Sequence, residues 1–459
     1  MPDNRYHLVD KEVLPMSEPR QSPPDHLAGS RRRFLKVAGA GAASATLLSM
    51  LDARRAPAQI KGTSLRMLMW SHFVPAYDTW FDDFAKKWGE KNGVKVRVDH
   101  IPHLELPARY AAEFAAGSGH DLIYFVGQIL TGQYYKNLVD LSDISDGLGK
   151  KYGGWMESSK SAAQVGGQWY AVPDFYIAIP VLWRKDLFES VGLSAPSTWE
   201  DLRKAGRLLK AKGHPTGMQF SHCNDANHNW RAVMYCFGAK ETDPTGQNVE
   251  IDSKEMREAL KFAKAMYDEG MTPEVFSWDD ASDNRFLASG VASWIHDAIS
   301  AYRTTEDTNP EVFKNTYCLP EAAGPGGLRW NVGEPNVWAI WKFSKNVAGA
   351  KEFIQAISDS QKEAMAASRG YNLPFLLGQY AKPMPGLGND PKLAPLQDQA
   401  KITAFFGHPG PMSPAAQEVL TTFVIPDMFT RVARGGSVVE TMTWGVGEIR
   451  RIYGKYKAS

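Results

Sequence analysis

The sequence predicts an α/β protein with enough chain for two domain-sized cores. Three observations carry this: strand-like apolar runs alternate with amphipathic helical patterns, the chain has 459 residues, and its composition (43% apolar, 22% charged) is that of a globular protein rather than a disordered or fibrous one. Residues 65–70 form an apolar run, after which Tyr77, Trp80, Phe81, Phe84 and Trp88 recur at helical spacing. Val94, Val96 and Val98 then alternate with charged residues, and Asp121 leads into the unbroken apolar run 122–126. Strand, helix, strand, helix, strand predicts a mostly parallel sheet, with the ligand crevice beyond the carboxyl ends of its strands. Those ends are Trp70, His72 and Phe73 on the first strand and Gly127 and Gln128 on the third.

A second unit is expected from about Asp174. Ser197 with Glu200 reads as a capping box before Leu202, Ala205, Leu208 and Leu209; Ser253 precedes the stripe Ala259, Phe262, Ala263, Met266 and Tyr267; Asn346 opens a helix with Ala350, Phe353, Ile354 and Ile357 on one face. The run Gly324-Pro325-Gly326-Gly327 interrupts this unit where the chain crosses back to the first.

Lys plus Arg (52) balances Asp plus Glu (51), so no global field draws nucleic acid or an anionic membrane. Three cysteines fit neither a disulfide framework nor a paired metal motif; the spacing of Cys223 and Cys236 permits a loop without giving the distance between the thiols. His222, Cys223, Asp225 and His228 are ligand types at no standard zinc spacing, which favours a polar loop. No G-x-S-x-G, H-E-x-x-H or G-x-x-x-x-G-K-[ST] pattern occurs. A carboxylate pair of glycosidase type stays open, because acid separations are invisible in a sequence. No cofactor is expected.

Residues 1–58 read as an address. Ser30-Arg31-Arg32-Arg33-Phe34-Leu35-Lys36 precedes the uncharged stretch 37–51 and the A-x-A site ending at Ala58. That stretch is shorter than the roughly 20 residues needed to span a bilayer. The paired arginines Arg31 and Arg32 resemble the twin-arginine signal, implying the twin-arginine export machinery as a partner of the precursor and a mature protein free in the periplasm.

The block Gly167-Gln168-Trp169-Tyr170-Ala171-Val172-Pro173, with Leu182-Trp183-Arg184-Lys185-Asp186-Leu187-Phe188-Glu189, Gly192-Leu193 and Pro196-Ser197-Thr198-Trp199-Glu200-Asp201-Leu202, resembles the family 1 extracellular solute-binding proteins, the maltose-binding-protein-like receptors of ABC importers. Phe286 with residues 290–295, the glycine-led strand 333–340 and the helix start at 435–440 extend the resemblance over the mature chain. It implies a two-lobed periplasmic binding protein fold of type II-like architecture, each lobe a mostly parallel sheet flanked by helices, with 59–174 plus about 331–380 in lobe 1 and 175–330 plus about 381–459 in lobe 2. It also implies a non-enzymatic, monomeric receptor that closes over a sugar, oligosaccharide or sugar alcohol and delivers it to ABC transporter permease subunits. A polyamine, organophosphate or other small polar solute on the same fold is the alternative; a secreted carbohydrate-active or metal-binding enzyme is the alternative of another class.

Candidate ligand contacts follow from topology and resemblance together. Tyr176 lies at the expected crossing between lobes, and Trp230 follows a polar loop, either as a plate for a sugar face or as core. By resemblance, His296 and Asp297 stand at a ligand-contacting strand end, Glu334 and Asn336 on the glycine-led strand, and Arg369 and Tyr371 on a loop turned toward the cleft, where Arg369 is equally suited to a surface ion pair. Ser300 stands where a stacking Trp often occurs in the family, which weakens the transfer of maltose-like specificity. Asp297 and Glu334 suit a cation if both face the cleft unpaired.

Overall fold

The structure, a computed structural model, describes residues 60–127 and 130–457, so the signal residues Arg31, Arg32 and Ala58 and the candidate Gln128 lie outside the described residues. The strands of the two larger sheets are β1 (Ser64–Trp70), β2 (Lys95–Ile101), β3 (Leu122–Val126), β4 (Val172–Ile177), β5 (Val181–Arg184), β6 (Trp294–His296), β7 (Thr316–Leu319), β8 (Glu334–Ile340) and β9 (Asn372–Pro374). The larger sheet has the order β9-β4-β8-β3-β1-β2, the smaller β6-β5-β7.

The α/β class holds, but the sheets are mixed rather than mostly parallel. β1 runs parallel to β2 and β3, whereas β8 is antiparallel to β3 and β4, and β9 to β4. In the smaller sheet both pairings are antiparallel. The cause is connectivity: β1 and β3 end at the edge facing the smaller sheet, while β8 enters from that edge and must run the other way.

Local chemistry sets the flanking helices. In the helix Pro75–Asn92, Pro occupies the first turn, where its missing N–H costs nothing, and Gly93 closes the end in a left-handed conformation (φ 67°). Its buried stripe of Tyr77, Phe81, Ala85 and Trp88 packs toward the sheet: Phe81 stacks on Trp338 of β8 at 5.9 Å between centroids. Ser253 and Asn346 cap their helices as expected. The capping box before Leu202 lies one residue later than expected, with Thr198 and Asp201 exchanging bonds of 3.1 and 2.9 Å. Asp201 fits as well as a Glu because an N-cap threonine and an N3 carboxylate need only reach each other's backbone N–H. The three cysteines are free and buried.

The chain leaves the larger sheet at Ile177 and enters the smaller one at Val181. It returns between Leu319 and Glu334. Asn331 ties the two crossings together: its Oδ1 accepts from the Ile179 N–H at 3.2 Å and its Nδ2 donates to the Ile179 carbonyl. Asp174, inside β4, accepts from the Tyr124 hydroxyl at 2.8 Å and from the Gln361 amide.

Burial pushes the Asp174 carboxyl up to about 6 from an ordinary 3.8. An acid whose folded pKa is raised keeps its proton longer in the folded state, so its stabilising contribution is present at low pH and is lost as pH rises across that interval. The shift corresponds to about 3 kcal/mol. Asp174→Asn is expected to abolish this loss, so that the variant gains about 3 kcal/mol on the parent between about pH 4 and pH 7 in urea denaturation.

Candidate functional site

Strand ends and helix starts from both sheets converge on one polar region. From the larger sheet come Trp70 at the end of β1, the short turn His103–Glu105 after β2, Glu334 at the start of β8 and Tyr371 just before β9. From the side of the smaller sheet come Asp225 in the first turn of the helix Asn224–Cys236, Asp280, Asp283 in the first turn of Ser282–Ala288, and Asp297 immediately after β6. The two sides touch where His103 Nε2 lies 3.1 Å from Asn224 Nδ2.

Carboxylates dominate the floor. Oxygens of Asp225, Asp283 and Asp297 all lie within 4.8 Å of one another, and all three residues are buried. Gln219 holds two of them together, its Nε2 donating to Asp225 Oδ2 at 3.0 Å and to Asp283 Oδ2 at 2.7 Å. The Asp225 N–H donates to Asp280, that of Asn284 to Asp283, and that of Ala298 to Asp297 Oδ1 at 2.6 Å. Every one of these donors is neutral. Asp297 Oδ2 and Asp280 Oδ2 are buried without a partner.

Glu334 faces them from the larger sheet, 7% exposed. It fits because Gly127 ends β3: a Cβ there would sit 2.8 Å from Glu334 Cδ, and the backbone adopts φ 61°. Burial, then the negative charge of Asp280, pushes the Glu334 carboxyl up to about 8. Burial pushes Asp283 up to about 7, and burial with neighbouring carboxylates drives Asp225 and Asp297 well above the ordinary range. Like charges brought together out of water favour retention of protons.

The aromatic wall is Trp70, Phe73, His103 and Tyr371. Phe73 meets Trp70 edge-on at 5.4 Å, and Trp70 lies 5.8 Å from His103 and 6.5 Å from Tyr371. Trp70 and Tyr371 are buried, whereas Phe73 is 37% exposed.

Several expected contacts have other duties. His72 is a buried post: the Val74 N–H donates to its Nδ1 at 2.9 Å, its Nε2 faces Asn372 Oδ1 at 3.0 Å, and burial pushes it down to about 4, so it stays neutral. His296 is bonded on both nitrogens, to Asn229 Oδ1 at 2.7 Å and Glu321 Oε2 at 3.1 Å. Tyr176 is buried in β4, its hydroxyl accepting from that of Tyr380. Asn336 is buried within β8 at the register shift before Val337. Trp230 is core: it is fully buried, donates to the Gln219 carbonyl at 2.7 Å and stacks on Phe429 at 4.8 Å. The plate reading of Trp230 is thereby corrected, since the ring is fully buried against Phe429 and Phe220 and its indole N–H is already committed. Arg369 is likewise spent on an ion pair, 3.1 Å from Asp307 and closer still to Glu306. His222 turns outward to Asp427 at 2.7 Å, away from its neighbour Asp225.

Asp280 and Asp283 escaped the sequence reading, because Asp279-Asp280-Ala281-Ser282-Asp283 looks like a solvated loop. The signal that was present is the pairing of an acid with the first turn of a short helix, where backbone N–H groups stabilise a carboxylate.

Two sheets joined by crossing strands, with polar groups from both meeting between them, define a two-lobed binding protein. The chain belongs to the bacterial extracellular solute-binding protein family, whose profile matches residues 74–364. Similar structures include maltose-bound MalE3 of T. maritima (21% identity, TM-score 0.72, covering 85% of this chain and 100% of that one). A sugar transporter from Arthrobacter chlorophenolicus A6 with bound laminaribiose (17%, TM-score 0.73, 84% and 99%) and a solute-binding protein from Agrobacterium radiobacter K84 with ribitol (18%, TM-score 0.71, 86% and 99%) are also similar. A binding protein of Brucella abortus (strain 2308) is 23% identical over 282 residues, 58% of this chain and 65% of that relative. No helix among the described residues is long and apolar enough to cross a membrane.

Trp230→Ala is expected to lower stability by about 3–5 kcal/mol, as for other buried aromatic truncations, measured by denaturant unfolding. Gln219→Leu, which strips two buried carboxylates of a shared donor, is expected to cost about 1–3 kcal/mol in the same assay.

Proposed function

We propose that this chain is the periplasmic substrate-binding component of an ABC importer, exported through the twin-arginine route, that takes a sugar, oligosaccharide or sugar alcohol between its lobes as a monomer and hands it to the permease without chemical change. One observation carries the reading: groups from both lobes meet with hydrogen-bonding capacity unspent, namely Asp297, Asp280 and Glu334, beside the part-exposed ring of Phe73. Carboxylates accept from paired hydroxyls, and an aromatic face covers the C–H side of a sugar ring. A solute that bonds both lobes has greater affinity for the closed form, which is the only way binding can drive closure. The similar structures carrying maltose, laminaribiose and ribitol support a polyhydroxylated solute.

The test is a thermal-shift screen of mono- and oligosaccharides and polyols on the mature protein. Free ligand at 100 times Kd stabilises the folded state by about 2.7 kcal/mol, so a true ligand raises Tm by several degrees. Phe73→Ala is expected to weaken that ligand about tenfold while moving the ligand-free Tm little, because the ring is part-exposed. Hydrolysis of an oligosaccharide by the purified protein would overturn the reading.

A further inference from the structure

The floor of the cleft holds more negative charge than hydroxyl recognition requires. Neutral sugars are held by mixtures of donors and acceptors, yet here Asp225, Asp280, Asp283, Asp297 and Glu334 gather in one place and every hydrogen bond given to them comes from an amide. Among the described residues, none of the five is ion-paired with a lysine or arginine; Arg231, on the same helix as Asp225, is spent on buried Glu241 at 2.7 Å. Buried carboxylates without a cation are costly, and protein interiors ordinarily pair them.

We propose that Asp225, Asp283 and Asp297 form a seat for a single positive centre, with Glu334 closing over it from the other lobe. Geometry supports the seat. Three oxygens within 4.8 Å of one another share a centre about 2.8 Å or less from each, the hydrogen-bond distance of an ammonium group, and a hard divalent ion at about 2.3–2.6 Å needs them only a few tenths of an ångström closer. Gln219 fixes two of the carboxylates by a single amide and leaves each further acceptor capacity. Asp297 supplies an independent pointer to a ligand: the residue is 3% exposed, its Oδ1 is satisfied by the Ala298 N–H, and its Oδ2 has no partner. Glu334, also more than nine-tenths buried and on a different sheet, has no side-chain hydrogen bond to another of the described residues. The all-oxygen donor set selects a hard cation such as calcium, or the protonated amine of the solute itself, over thiolate- or imidazole-seeking metals.

Protein dialysed against a chelator is titrated with calcium chloride, glucosamine and diaminobutane, and in parallel with the neutral analogues glucose and butanediol, following Tm and heat of binding. At least one cationic probe is expected to raise Tm by several degrees. Asp297→Asn and Glu334→Gln, each close in shape to the parent, are expected to weaken it at least tenfold, with the melting of the ligand-free variant showing that it is folded. Calcium acting alone assigns the seat to a metal ion; glucosamine or diaminobutane acting where its neutral analogue does not assigns it to an amine of the solute. No response to any of the three cationic probes, or unaltered binding of them by both variants, overturns the seat. The outcome separates from the carbohydrate reading: a neutral sugar that binds while all three cationic probes fail sinks only the seat, and a cation that binds while every neutral sugar and polyol fails sinks only the carbohydrate preference.

Discussion

A chain of buried polar side chains running from the lobe crossing to the carboxylates is the constraint on which the site depends. Asn331 holds the backbone of Ile179, and its amide also faces Glu321 at 3.4 Å. Glu321 meets His296, His296 meets Asn229, the Asn229 amide donates to Gln219 at 3.0 Å, and Gln219 ends on Asp225 and Asp283. In a low-dielectric interior such a chain is stable only when each member is paired, and it then fixes its members in register. Its surplus falls at one end, on the acids. The crossing strands and the cleft floor are therefore joined by one continuous run of buried polar contacts.

The larger sheet contributes differently. Its parallel strands β1 and β3 end at the cleft, where an open α/β sheet leaves a crevice for ligand, and β8 begins there because it arrives from the other lobe. One edge thus offers Trp70, Gly127 and Glu334 together, although they come from three distant stretches of chain. His72 is spent in keeping this edge in place: a neutral imidazole bonded on both nitrogens joins β1 to Asn372 at the start of β9. The aromatic wall and Glu334 come from the larger sheet, whereas Asp225, Asp283 and Asp297 come from the side of the smaller one.

Much of this was legible in the sequence wherever the information is local. The helix stripe of Tyr77, Phe81 and Trp88 and the caps at Ser253 and Asn346 obey spacing rules that act within a few residues, and the structure reproduces them. Strand polarity was not legible, because β8 lies beside β3 through a contact made some 200 residues apart. The same holds for the acids. Asp297 and Glu334 could be suspected from resemblance, but Asp283 and Asp225 become a site only when two helix starts converge on Gln219. Trp230 and Arg369 each left two readings open for the opposite reason: a large aromatic or a cation beside a polar loop suits a ligand or a protein partner alike until the partners, Phe429 and Asp307, are in view.

Aromatic abundance consequently counts for less than charge in deciding what the cleft prefers. Of the tryptophans, Trp70, Trp199, Trp230, Trp294, Trp338 and Trp341 are fully buried, so their number reflects large cores rather than stacking platforms. Trp70 packs against Phe73, His103 and Tyr371 on the larger-sheet side of the cleft. The whole chain is nearly neutral, at a formal charge of +1, yet the cleft concentrates carboxylates that no lysine or arginine among the described residues pairs with. Such an imbalance is tolerable because burial favours the protonated form, raising Asp283 to about 7 and Glu334 to about 8. An incoming positive centre would displace those protons, whereas a neutral polyol would hydrogen-bond to the acids while they keep them. The choice between those two occupants, rather than the size of the aromatic wall, is what the geometry of the floor discriminates.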